Sequence, residues 1–129
     1  MAVENILKGT DVTMRTFNVK DSAGTTIDIA DINDYNIYVY QLANNVKTHL
    51  FTFRKTPVGT DKQIEVVDTT TIGFVVDRTQ TVECNTGKLY AEIEVQLTAT
   101  SEYISSLQNS AGDGYVICNI VESANPLAL

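Results

Sequence analysis

His49 is the only histidine in the chain and therefore the one standard candidate for a general base. A Ser–His–Asp or Cys–His site would need it, and hydrolases of the common α/β type carry their serine in a G-x-S-x-G turn. The sequence contains no such turn. His49 stands between Thr48 and Leu50 in a segment of strand composition. We interpret it as an ordinary strand histidine, and we predict no catalytic residues and no enzyme activity.

The two cysteines, Cys84 and Cys118, have no C-x-x-C spacing and are too few for a disulfide scaffold. A structural zinc site needs roughly four Cys or His ligands, so we predict no metal site. Cys118 lies among apolar residues, which predicts a buried free thiol. A disulfide between Cys118 and Cys84 across the sheets is the alternative. Disulfides are typical of exported proteins, however, and we expect no export signal here.

Three aspartates, Asp28, Asp31 and Asp34, recur at every third position beside Asn33. Converging carboxylate and amide oxygens are what Ca²⁺ requires, but the spacing does not match the EF-hand loop. Asp and Asn also favour turns, because their side chains hydrogen-bond to nearby backbone groups. We interpret this segment as a loop, with calcium binding as the alternative, and we predict no cofactor.

Two further groups could contact sugars. Glu92 and Glu94 are a carboxylate pair, but glycosidase carboxylates face each other across a cleft, and these alternate along one segment. They are therefore predicted to lie on a solvated strand face. Tyr35, Tyr38 and Tyr40 could stack on sugars, yet tyrosines at such positions more often belong to a core or an interface.

Composition narrows the function classes further. The 129 residues suit one domain, and the net charge of −7 argues against nucleic acid or an anionic membrane as partner. No apolar run approaches the ~20 residues of a membrane-spanning helix. The first residues have neither a basic nor a long apolar region, so we expect no secretory signal. No small-molecule substrate is predicted.

The elements that position these residues are mostly strands. The chain has 17 Thr, 14 Val and 11 Ile, all β-branched and suited to a pleated surface. Lys88 to Leu97 alternates strictly between apolar and polar residues, which predicts one buried and one solvated face. The inward residues would be Leu89, Ala91, Ile93, Val95 and Leu97, and the outward ones Glu92, Glu94 and Gln96.

Further strands are predicted at Asp11–Lys20 (with a bulge near Thr16), Thr25–Ile29, Tyr35–Leu42, His49–Arg54, Ile64–Val67, Ile72–Val76 and Tyr115–Val121. A tight turn is expected at Asp21–Gly24 and one short crossover helix between Thr100 and Gln108. Residues 1–10 and 123–129 lie outside the pattern and are expected as arms. About eight short strands predict a single antiparallel β-sandwich over residues 1–129.

Between Gly9 and Leu97 the sequence has an opening strand, the Asp21–Gly24 turn, the Ile27-Asp28-Ile29 step and, later, the segment Thr86 to Ile93. In the order and spacing of these motifs it resembles the N-terminal module of phage baseplate upper proteins. The resemblance implies an immunoglobulin-like sandwich of 7–8 strands that builds tail or baseplate structure and has no catalytic residues. We expect the protein to differ from that family in having no long fibrous or receptor-binding continuation.

These expectations define a non-enzymatic structural protein of a bacteriophage virion. We predict a tail, connector or baseplate ring component that binds copies of itself and other virion proteins. It would be assembled in the host cytoplasm and not secreted. One alternative is a capsid decoration or head-fibre anchoring protein, and another is a carbohydrate-binding sandwich module. Such modules usually expose tryptophan, which the chain lacks.

Overall fold

The computed structural model describes residues 4–21, 23–107 and 115–122. Strands dominate this part of the chain, joined by one short helix and one 3-10 turn. The strands are β1 (Asn5–Leu7), β2 (Arg15–Asn18), β3 (Asp34–Ala43), β4 (Val46–Arg54), β5 (Lys62–Gln63), β6 (Glu65–Val66), β7 (Thr71–Phe74), β8 (Gly87–Gln96), β9 (Tyr103–Leu107) and β10 (Tyr115–Val121). Helix α1 is Arg78–Thr81, and the 3-10 turn is Ile29–Asp31. No described helix is long and apolar enough to cross a membrane.

The strands form two sheets. The large sheet has the order β1-β10-β8-β3-β4-β5, and the small sheet has the order β2-β7-β6. Strand β9 also pairs with β8, at residues 93–96, beyond the stretch 87–91 where β10 pairs with it. The predicted all-β sandwich is confirmed. Its large sheet is mixed rather than purely antiparallel, because β1 pairs with β10, and β4 with β5, in parallel.

The core lies between the sheets and follows the predicted alternation. In β8 the inward residues Leu89, Ala91, Ile93 and Val95 are buried, and Leu97 just beyond the strand is partly buried against them. The small sheet and its flanks contribute Val12, Val19, Ile72, Phe74 and Val76. The chain passes from the large sheet to the small one at Ile64, a buried residue between β5 and β6.

Two turns, one of them the predicted Asp21–Gly24 turn, have the backbone that their residues favour. Asn44 and Asn45 join β3 to β4 and both have positive φ, 53° and 64°, which asparagine tolerates better than most residues. Gly24 also has positive φ, 83°, and its amide donates to the carbonyl of Asp21. The hairpin places β3 in the middle of the large sheet, between β4 and β8.

The helix predicted between Thr100 and Gln108 is wrong for its described part. Residues 103–107 form β9, antiparallel to β8 after a short turn, while the short helix α1 lies elsewhere. Strand β10 pairs with β8 only at residues 87–91, so the backbone groups of residues 93–96 on the same edge need other partners. Strand β9 supplies these hydrogen-bond partners. Ile104 packs against the core, as one face of a strand requires. Residue 108 lies outside the described part of the chain.

Three other predictions need correction. Segment Asp11–Lys20 contributes only β2, which pairs with β7 without the expected bulge. Segment Thr25–Ile29 forms an isolated bridge and the start of the 3-10 turn, not a strand. Residues 5–7 of the expected N-terminal arm form β1 within the large sheet. The other expected arm, residues 123–129, lies outside the described residues.

Candidate functional site

The residues first considered for chemistry are not brought together. The Nε2 atom of His49 lies 2.7 Å from Oγ1 of Thr52 on the same strand, so its partner is a neighbouring hydroxyl. Asp28 precedes the 3-10 turn, Asp31 ends it, and Asp34 begins β3. Within residues 4–21, 23–107 and 115–122, no group of three or more His, Cys, Asp or Glu could hold a metal ion.

Both cysteines are buried and free, as predicted. Burial raises the pKa of each thiol to about 11, so both are protonated at neutral pH. The Sγ of Cys84 donates a weak hydrogen bond to the carbonyl of Gln80, at 3.5 Å. Protonated, enclosed thiols are poor nucleophiles and poor metal ligands, so these cysteines act as core residues.

The side of the large sheet turned away from the small sheet, which we call the outer face, collects the polar residues of three strands. Strand β3 contributes Asp34, Asn36, Tyr38 and Tyr40; β4 contributes Lys47, His49, Thr52 and Arg54; and β8 contributes Tyr90, Glu92, Glu94 and Gln96. Of the tyrosines considered for sugar stacking, Tyr35 points into the core, whereas Tyr38 and Tyr40 lie on this face.

Aromatic rings occupy one end of the outer face, which we call the tyrosine end. The rings of Tyr40 and Tyr90 stack with centroids 5.3 Å apart and an interplanar angle of 13°. The Nζ of Lys47 lies 4.4 Å from the centroid of Tyr40 and also pairs with Glu92. Tyr40 is only 2% exposed, so the surface at this end consists of the partly exposed Tyr90 ring and the exposed Lys47 side chain.

Glu94 is at the centre of the outer face and is not the simple solvated residue expected. Its Oε1 accepts a hydrogen bond of 2.5 Å from the Tyr38 hydroxyl and one of 3.1 Å from the amide of Asn36. Asn36 is only 2% exposed. Burial, reinforced by the bond to Glu94, raises the pKa of Tyr38 to about 12, so its hydroxyl remains a donor.

The other end of the outer face is an open concavity of about 710 Å³, which we call the polar depression. It is lined by Asn33, Asp34, Asn36, Arg54, Thr56, Val58, Asp61, Gln96 and Tyr103. Arg54 donates to Asp61 at 2.6 Å and to the side-chain oxygen of Asn36 at 3.1 Å. The bond to Asp61 raises the pKa of the Arg54 guanidinium further.

Sequence reasoning missed most of the polar depression. Arg54, Asp61 and Asn36 were not singled out, and Tyr103 was assigned to a helix. The sequence does show polar residues at every second position of β3 and β8. This pattern indicates a polar sheet face, but it does not show which side chains on that face hydrogen-bond to each other. The bonds of Arg54 to Asp61 and of Tyr103 to Asp34 join residues that no local pattern connects.

No family model, no curated protein and no solved structure matches the chain.

Proposed function

We propose that this protein is a non-enzymatic structural subunit of a bacteriophage particle, a tail, connector or baseplate component that assembles with copies of itself and with other virion proteins. The observation that carries the proposal is the tyrosine end, where the partly exposed ring of Tyr90 stacks on the ring of Tyr40, which is itself only 2% exposed. Tyrosine is enriched at protein interfaces, because its ring supplies a large contact area and its hydroxyl a hydrogen bond.

The resemblance to phage baseplate modules is the reason that the proposal names a bacteriophage particle. Its short motifs coincide with structural elements: the Asp21–Gly24 turn adopts the positive φ that glycine favours, and Gly87 opens β8 with φ 124°. These features are compatible with any β-sandwich, and β-sandwiches have many different functions. The proposed role in assembly must therefore be tested by experiment.

The assembly test is native mass spectrometry and analytical ultracentrifugation of the purified chain and of two variants. Tyr90→Ala removes one ring of the stacked pair at the tyrosine end. Val82→Ser, at an exposed residue just after helix α1, is the matched control. We expect a defined homo-oligomer for the wild type and the control, and smaller species for Tyr90→Ala, whose circular dichroism spectrum should remain that of the folded protein.

A protein that stays monomeric at about 1 mM would contradict self-assembly in solution, since protein–protein affinities weaker than this are marginal. Quantitative mass spectrometry of purified phage particles tests the virion role separately. The chain should be present in several copies per particle, and its absence would refute the proposal. A monomer that is nevertheless abundant in particles would favour the decoration or anchoring alternative.

A further inference from the structure

The polar depression has the size and the mixed polarity of a small-ligand site. Its volume of about 710 Å³ falls within the range of ~300–1,000 Å³ that is usual for ligand pockets. Amide, hydroxyl, carboxylate and guanidinium groups all line it. It therefore offers both hydrogen-bond donors and acceptors, as a ligand rich in hydroxyl groups requires.

The lining is held in place by its own hydrogen bonds. Asn36, which is buried, is fixed between Glu94 and Arg54. Across the depression, the amide of Asn33 donates to the side-chain oxygen of Gln96 at 2.6 Å. A site whose side chains are already ordered loses less conformational entropy when it binds a ligand.

Arg54 and Asp61 keep unused hydrogen-bonding groups after these internal contacts. A guanidinium has five N–H donors. Arg54 uses one for Asp61 and one for Asn36, and the Tyr38 hydroxyl lies beside it, so at least two of the five remain for a ligand. Asp61 accepts from Arg54 through Oδ2, and its Oδ1 has no partner among the described residues. The same arginine and aspartate can thus donate to one hydroxyl and accept from the next.

Tyr103 adds an accessible aromatic ring at the edge of the depression. It is 45% exposed, and its hydroxyl donates to Oδ2 of Asp34 at 2.6 Å, which orients the ring. A pyranose presents C–H groups on its faces and hydroxyls at its rim. An oriented ring beside paired polar groups matches that division between apolar and polar surface.

We propose that the polar depression binds a neutral saccharide, with Tyr103 against a sugar face and Arg54 and Asp61 on adjacent hydroxyls. An acidic sugar fits poorly, because Asp34 and Asp61 outnumber the single guanidinium among the lining residues. A flat protein surface also fits poorly, because the centres of protein interfaces are depleted of charged residues. The site lies at the opposite end of the outer face from the stacked tyrosines and is separate from the proposed assembly contact.

Isothermal titration calorimetry tests the site with four probes. Cellotriose, maltotriose and N,N′,N″-triacetylchitotriose are neutral trisaccharides that differ in linkage and substituents. Trigalacturonate is an acidic trisaccharide of similar size. We expect at least one neutral probe to bind with a Kd of about 10 mM or tighter. Trigalacturonate should bind about fivefold more weakly or not at all, because the carboxylates repel it.

Single-residue variants then test whether the neutral saccharide binds at the polar depression. Tyr103→Ala and Asp61→Asn should each weaken the neutral probe about tenfold, as loss of a ring contact or of a charge-assisted bond would. Tyr103→Phe keeps the ring and should retain more affinity than Tyr103→Ala. Glu92→Gln changes a carboxylate at the far end of the same face and is the matched control, expected to bind as the wild type does. Thermal melts establish that each variant is folded.

Three results would overturn the proposal. The first is that none of the neutral probes binds. The second is that trigalacturonate binds as tightly as they do. The third is that Tyr103→Ala and Asp61→Asn bind as well as the Glu92→Gln control. Were Tyr103→Ala to dissociate an oligomer that Tyr90→Ala leaves intact, the depression would be occupied by a second copy of the chain, and the saccharide site would likewise be refuted.

Discussion

Replacing Glu94 with alanine tests whether the outer face is a bonded network or a set of independent solvated side chains. The substitution removes the acceptor of two hydrogen bonds, from Asn36 and from Tyr38. Asn36 is only 2% exposed, so its amide cannot readily turn to water. Leaving a buried polar group without its partner costs about 1–3 kcal/mol.

The expected loss follows from these two bonds. The Asn36 bond should account for most of it, while the Tyr38 hydroxyl, which is only partly buried, can bond water instead. We therefore expect Glu94→Ala to lower the free energy of unfolding by about 2 kcal/mol. Urea unfolding followed by circular dichroism measures this, and for an m-value of about 1.5 kcal/mol/M the midpoint should fall by about 1.3 M.

Glu92→Ala is the control, because Glu92 lies two residues away on the same face of β8. Its ion-pair partner is the exposed Lys47, and an exposed ion pair contributes about 0–1 kcal/mol. Glu94→Gln should restore much of the lost stability, since the amide oxygen still accepts from Asn36. Equal midpoints for Glu94→Ala and Glu92→Ala, at unchanged m-values, would refute the network.

Three further outcomes test the core and the short helix. Ile93→Ala should destabilise the fold by about 2–5 kcal/mol in the same urea assay, and a loss under about 1 kcal/mol would contradict the assigned core face. Alkylation under denaturing, non-reducing conditions, followed by intact mass measurement, should find both Cys84 and Cys118 labelled. The cysteines of the folded protein should resist the reagent. No label after unfolding would mean that the two cysteines form a disulfide. The pairing of Asp77 with Lys62, followed by bonds from Thr79 and Gln80, holds the pKa of Asp77 at about 2, below its usual value near 4. This stabilisation is complete above pH 4 to 5 and is lost as the pH falls towards 2, so Asp77→Asn should flatten the decline of melting temperature in that window, and an unchanged decline would contradict it.

Alternation along single strands could be predicted from the sequence, and it identified the core. Leu89 to Val95 has period two over enough residues to exclude a helix, and its inward face is buried as expected. The segment around Tyr103 is too short for its period to distinguish strand from helix. Its conformation depends instead on the open edge of β8, which is a tertiary property.

Pairing between distant segments could not be predicted in the same way. Strand β1 has only three residues, and its partner β10 is more than a hundred positions away in sequence. The polar depression has the same origin, because it joins Asn36 of β3, Arg54 of β4 and Tyr103 of β9. Local sequence shows that such residues are polar, but their hydrogen bonds depend on which strands become neighbours.

The parallel pairing of β1 with β10 has a mechanical consequence. Tension that pulls β1 towards its N-terminal side and β10 towards its C-terminal side slides the two strands along each other. The bonds from Lys8 to Val121 and from Asn119 to Glu4, both 2.8 Å, then carry the load together instead of opening one after another. Shear of this kind raises the force needed for rupture, since several bonds must break at once. A single-molecule stretching experiment that pulls from these two strands should therefore meet higher resistance than one that peels β9 from β8, whose antiparallel hairpin opens bond by bond.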